Sequence, residues 1–150
     1  MIQQDPADRR RAIAREAGER LRAGWHCPEA VLGAVGPAVL PDWSPAYLRL
    51  SNGFAGGVGC SFQELCGAAA GAVMVIGALF GREDLQPDEE AQRIACRYRE
   101  RFLETFGETR CTPLRQNVVK VEGGLGSCAV VCERAAMVLL ELLNEEGLAI

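Results

Sequence analysis

The sequence predicts an all-α fold, a bundle of about five or six helices packed round a buried central helix at about 62–81. Three observations predict it. Apolar residues recur at helical spacing between cap-type residues and Gly or Pro stops. No stretch alternates apolar and polar residues as a half-buried strand does. The run from Ser61 to Arg82 carries no charge between Glu64 and Arg82, so a helix there is apolar on all sides and must be enclosed by others. With 150 residues, 49% hydrophobic and 24% charged, the whole chain, 1–150, reads as one domain with a real core.

In chain order, Asp5-Pro6 supplies an N-cap and a first helical residue. Ile13, Ala17 and Leu21 form the apolar stripe of this helix, Gly24 ends it, and the arginines at 9–11 read as a solvated face. Trp25-His26-Cys27-Pro28-Glu29 starts a second helix, with Pro28 at its first position and Cys27 at the N-cap. Ala30, Val31, Val35 and Leu40 follow, and Pro37 bends or ends the helix. Asp42-Trp43-Ser44-Pro45 opens a third, which holds Tyr47, Leu48 and Leu50 and stops near Asn52-Gly53. Phe54 to Cys60 is a Gly-rich flexible loop. No G-K-[ST] follows it, so it is not a P-loop, and close packing of its backbone on a helix is preferred to anion binding.

Ser61 and Glu64 have the S-x-x-E spacing of a capping box, and Gly81-Arg82 suits a helix C-terminus. The first half of the helix between them, Gly67 to Ala72, is built of Gly and Ala, which let something approach the backbone closely; Cys66 falls in its second turn. Leu65 to Gly81 is a 17-residue uncharged run, at the lower edge of bilayer-spanning length. Its four glycines and the lack of aromatic anchors at both ends argue against a membrane span. Pro87-Asp88-Glu89-Glu90 begins a fifth helix, whose inward stripe is Ala91, Ile94, Ala95, Tyr98, Phe102 and Phe106 and whose stop is Gly107. Cys111-Thr112-Pro113-Leu114 starts a short helical turn, and 116–127 reads as loop. Ser127 caps a last helix, through about Glu146, that buries Val131, Ala135, Val138, Leu139 and Leu142.

The net charge of -4 recommends no nucleic-acid partner. The polar N-terminus, Met1 to Asp5, has no apolar signal region, so a cytoplasmic location is expected. Seven cysteines are many for such a chain, and their odd number leaves at least one outside any set of intramolecular disulfides. A reducing compartment shifts the weight toward metal binding or redox cycling. No C-x-x-C pair exists, which argues against thioredoxin-type motifs and common zinc knuckles, and no C-x-x-C-H attaches haem. The lone His26 reads as a polar residue flanking a helix. Cys27, Cys66, Cys111 and Cys128 all fall at or near predicted helix N-termini, where the helix dipole favours a thiolate and lowers its pKa. Four such sites on four elements would converge at one end of a bundle. Cys132, one turn beyond Cys128, faces the same side and is able to share the site. Cys60 reads as a residue packing on Leu65 in the manner of a hydrophobic staple, and Cys96, beside Gln92, Arg99 and Glu100, as incidental.

Cys66-Gly67-Ala68-Ala69-Ala70-Gly71 resembles the C-G-A-x-x-G motif of the C_GCAxxG_C_C family of small redox-active proteins. Cys27-Pro28-Glu29-Ala30-Val31 is similar to that family's upstream cysteine, Phe106-Gly107 with Cys111-Thr112-Pro113-Leu114 to its third, and Cys128 to its fourth. The resemblance runs from about 20 to 145. It implies redox activity founded on Cys27, Cys66, Cys111 and Cys128, with Gly67, Ala68 and Gly71 beside a bound group. Cys60, Cys96 and Cys132 depart from the minimal set. Four thiolates hold Zn²⁺ or an iron–sulfur cluster, or cycle between dithiol and disulfide, and spacing does not choose among these. The competing reading is a non-catalytic protein in which the face of 67–72 receives a ligand or another helix, the cysteines only line it, and 120–127 acts as a lid. No Ser-His-Asp set, carboxylate pair or nucleotide motif supports a hydrolase or kinase. A redox partner is expected without being identified, and homo-oligomerisation is left open.

Overall fold

A computed structural model describes residues 3–150; Met1 and Ile2, the head of the polar N-terminal run, lie outside the described residues. The elements are α1 (Pro6–Arg22), α2 (Cys27–Val39), α3 (Ala46–Asn52), α4 (Gly67–Phe80), α5 (Glu89–Phe106), α6 (Cys111–Leu114), a π-helical turn (Arg115–Val119) and α7 (Cys128–Glu145). No strand occurs among the described residues, only an isolated antiparallel bridge between Leu65 and Arg110. The fold is thus all-helical, as expected, with α6 at the predicted short helical turn and the π-helical turn occupying the start of what reads as loop.

The helix starts follow their cap chemistry. Asp5 accepts a hydrogen bond from the Ala7 N–H at 3.0 Å, and Ser127 accepts one from Ala129 at 3.0 Å. Gly107 ends α5 in the left-handed conformation, φ +76°, that a glycine takes without strain. The core is shared by α2, α4, α5 and α7. Every residue of α2 from Pro28 to Gly36 is buried. From α7, Val131, Ala135, Leu139 and Leu142 are buried as predicted, joined by Cys132, Leu140 and Leu143. Ile94, Tyr98, Phe102 and Phe106 close the side under α5, and the Tyr98 hydroxyl donates to the Ala135 carbonyl at 3.0 Å. Leu50, assigned to the third helix's apolar set, is 66% exposed. No helix among the described residues is long and apolar enough to cross a membrane.

The central helix differs from its predicted bounds. It begins at Gly67, with Cys66 as its N-cap rather than in its second turn, and the capping box does not form. The Ser61 hydroxyl donates to the Gly57 carbonyl at 2.7 Å and accepts from the Gln63 N–H at 3.2 Å. The reason lies upstream. Gly56, Gly57, Val58, Gly59 and Cys60 all have φ between 54° and 69°, a left-handed turn from which a right-handed helix cannot propagate. Residues 62–66 turn their backbone to 109–112 instead: Cys66 N–H donates to Thr109 at 2.8 Å, Cys111 N–H to Glu64 at 2.9 Å and Thr112 N–H to Phe62 at 3.0 Å. Nor is α4 enclosed along its whole length, since Val73, Gly77 and Ala78 are exposed.

The small residues of α4 do admit a close neighbour, and the neighbour is α2. A Cβ placed on Gly71 would stand 2.5 Å from the Pro28 carbonyl oxygen, and one on Gly67 2.7 Å from Pro28 Cδ and 3.1 Å from Cys27 Cβ. The crossing therefore seats the start of α2 against the start of α4, and with it Cys27 near Cys66.

A candidate thiol site where helix starts converge

The four singled-out cysteines all lie at helix starts: Cys66 is the N-cap of α4, and Cys27, Cys111 and Cys128 are the first residues of α2, α6 and α7. Cys27 thus sits one position inside its predicted N-cap role, which falls to His26, whose side chain makes no capping bond. The thiol of Cys27 interacts with those of Cys128 and Cys132 and lies within reach of Cys66. Cys66 in turn neighbours Cys111 and Cys128, and Cys111 neighbours Cys128 and Cys60. Cys132 is fully buried, and its thiol acts on that of Cys27. Cys96 stands apart, exposed on α5 with its sulfur 3.7 Å from a Glu100 carboxylate oxygen. All seven are free thiols.

The glycine-rich turn packs closely, as expected, but onto α6: a Cβ on Gly57 would lie 2.7 Å from Cys111 Cβ. Val58, Cys60 and Phe62 adopt positive φ without glycine's freedom, a strained arrangement held by hydrogen bonds within the turn, Gly59 N–H to Gly53, Cys60 N–H to Ala55 and Phe62 N–H to Gly56. Arg115, in the π-helical turn, lies over the Phe62 ring at 4.2 Å and faces both Cys111 and Cys128.

Electrostatically the site reverses one expectation. Helix N-termini alone would lower the thiol pKa values. Burial instead pushes the Cys66 thiol up to about 11, against the opposing pull of the Ala68 and Ala69 N–H groups. Burial likewise raises Cys111, against Arg115. Cys128 is raised first by its hydrogen bond with Cys27 and then by burial, with Arg115 and Lys120 opposing. For Cys27 the hydrogen bond from Cys128 pulls downward, but Cys132 and burial together outweigh it and the thiol is raised. Desolvation is a tertiary quantity, and here it exceeds the effect of the helix ends. The thiols of Cys27, Cys66, Cys111 and Cys128 are therefore neutral near pH 7.

This has a pH signature. A thiol whose pKa is higher folded than unfolded contributes stability in full below the unfolded value and loses it as pH rises through the folded one. For Cys66 the window runs from 9.0 to about 11. Urea midpoints measured under reductant are expected to fall across that window, and a midpoint that stays level through it would mean that the thiols are hydrated.

Among the described residues no group of three or more His, Cys, Asp or Glu is arranged to hold a metal ion. A family model described as "Putative redox-active protein (C_GCAxxG_C_C)" matches residues 25–142, a span that includes all seven cysteines. No curated protein and no solved structure matches the chain.

Proposed function

The chain belongs to the C_GCAxxG_C_C family, and from that premise we propose that it is a cytoplasmic thiol–disulfide redox protein whose working couple joins Cys27 to Cys128. The observation that carries this reading is the contact of the Cys27 thiol with those of Cys128 and Cys132. Oxidation removes two electrons and two protons from the pair and forms one S–S bond. Cys66 and Cys111 stand beside the pair as exchange partners. Ala68 presents its N–H to the Cys66 sulfur, while Gly67 and Gly71 set the α2–α4 approach that seats Cys27. Neutral thiols suit a couple that is shielded until a partner arrives. Of the small-residue face of 67–72, Gly67 and Gly71 are met by the chain's own α2.

A second reading is a thiolate-bound metal, an iron–sulfur cluster included, on Cys27, Cys66, Cys111 and Cys128. The number of thiols, more than one disulfide uses, supports it, although among the described residues no three of them are arranged to hold a metal ion. Anaerobic purification with metal analysis, then titration in thiol redox buffers with peptide mapping, tests both. The expected result is a two-thiol couple mapped to Cys27 and Cys128. Stoichiometric iron or zinc with thiolate absorption would move the function to the second reading, and the absence of both linkage and metal would overturn the proposal.

A further inference from the structure

The run between Glu64 and Arg82 carries no charge and calls for enclosure on all sides, yet the bundle leaves one face of α4 open at Val73, Gly77 and Ala78. Along the seam of that face with α5 lies a hollow of about 330 Å³, lined by Leu65, Ala69 and Val73 on one side and Ala95, Tyr98 and Phe102 on the other. The two aromatic side chains are fully buried and form its floor. A second hollow of about 250 Å³ shares Val73 and Ala95 with the first and continues the seam to Gly77 and Gly81. Together they make one apolar trough, which on α4 runs from Ala69 to Gly77, about 12 Å at the rise of an α-helix. One cation stands at this trough without a partner. Helix α5 carries four arginines. Arg93, Arg97 and Arg101 pair with Glu145 and Glu146. Arg99 instead lines the first hollow as its only charged residue, and makes no ion pair or side-chain hydrogen bond among the described residues. Its neighbours one helical turn away, Ala95, Cys96, Phe102 and Leu103, include no carboxylate.

We propose that the trough between α4 and α5 binds a medium-chain aliphatic carboxylate, with its chain along Val73 toward Gly77 and its carboxylate on the Arg99 guanidinium. An apolar cleft with a single polar group to fix orientation is the usual build of a small-ligand site. The guanidinium offers a planar fork of N–H donors that matches a carboxylate with two bonds. At the far end Arg82 is already engaged by Asp88 at 4.0 Å, which leaves Arg99 to take the head group. At these volumes the trough is narrower than a partner's α-helix, which is about 10–12 Å across with its side chains, so a single acyl chain is the occupant that enters it. The net charge of -4 repels anions in general, so the attraction is local to Arg99. The site is independent of the thiol chemistry proposed above.

The test uses the full-length protein under reductant. The probes are sodium decanoate, below its micellar concentration, and decylammonium, a chain of the same length with the opposite charge. Binding is read by titration calorimetry and by the rate at which a maleimide alkylates Cys96, an exposed thiol in the wall of the first hollow. Decanoate is expected to bind saturably and to slow alkylation of Cys96 but not of Cys60, the other exposed thiol. Decylammonium is expected to protect neither. Arg99 is exposed, so Arg99→Gln should fold normally, and it is expected to weaken decanoate by roughly tenfold or more. Arg101→Gln, which removes a cation paired with Glu145, is expected to bind as wild type does. A Cβ on Gly77 meets nothing within 4 Å, so Gly77→Leu fills the second hollow and should weaken decanoate by about tenfold. Four results would overturn the proposal: no saturable binding of decanoate, binding that leaves Cys96 unprotected, equal protection by decylammonium, or an affinity unmoved by Arg99→Gln or Gly77→Leu. An equal loss in Arg99→Gln and Arg101→Gln would mean adsorption to surface charge and would overturn it as well.

Discussion

Cys27→Ser is expected to remove the two-electron couple altogether. Cys27 interacts with both thiols of α7, Cys128 and Cys132. Those two cannot substitute for it by bridging each other. They are separated by one helical turn, which sets their Cβ atoms about 5–6 Å apart, whereas a disulfide requires about 3.5–4.5 Å. The first turn of α7 would have to unwind, and with it the Ser127 cap. The fold itself should survive. Serine is close to cysteine in size, its hydroxyl is able to hydrogen-bond where the thiol did, and Cys27 is only partly buried; the expected stability loss is about 1–2 kcal/mol. Redox titration with peptide mapping, beside a thermal melt, separates the two effects. A couple retained at the wild-type potential would place the chemistry elsewhere in the cluster.

What was legible in the sequence is what local chemistry controls. A helix start is announced by a cap residue and a proline or acid within a few positions, so the placement of Cys27, Cys111 and Cys128 could be read directly. The stripe of α5 and most of that of α7 followed from periodicity alone. The errors lie where distant segments decide. Ser61 and Glu64 have the right spacing for a capping box, but the left-handed turn before them and the hydrogen bonds to 109–112 claim that backbone first. The same turn removes Cys60 from any staple with Leu65 and puts it on the surface. No residue pattern marks the π-helical turn at Arg115–Val119, whose importance is that it aims Arg115 at two cysteines. The direction of the thiol pKa shifts was misjudged for a related reason: the dipole of a helix end is visible in sequence, and the depth at which the end is buried is not.

Gly71→Ala is expected to separate α2 from α4. The added methyl would meet Pro28 at 2.5 Å from its carbonyl oxygen, 3.0 Å from Cα and 3.1 Å from the carbonyl carbon. All three are backbone atoms, so no side chain is able to rotate away and α2 itself must shift. Pro28 follows Cys27 directly, so that shift draws Cys27 away from Cys66, Cys128 and Cys132. The expected cost is about 1–3 kcal/mol of stability, with a coupled loss in the rate of disulfide formation. Gly77→Ala is the matched control. It lies on the same helix, exposed, with nothing within 4 Å of the new Cβ, and the better helix propensity of alanine should stabilise it by up to about 1 kcal/mol. Urea midpoints of the two variants should therefore move in opposite directions, and only Gly71→Ala should slow oxidation. If Gly71→Ala is as stable as Gly77→Ala and oxidises at the wild-type rate, the close approach of Pro28 is not what brings the thiols together.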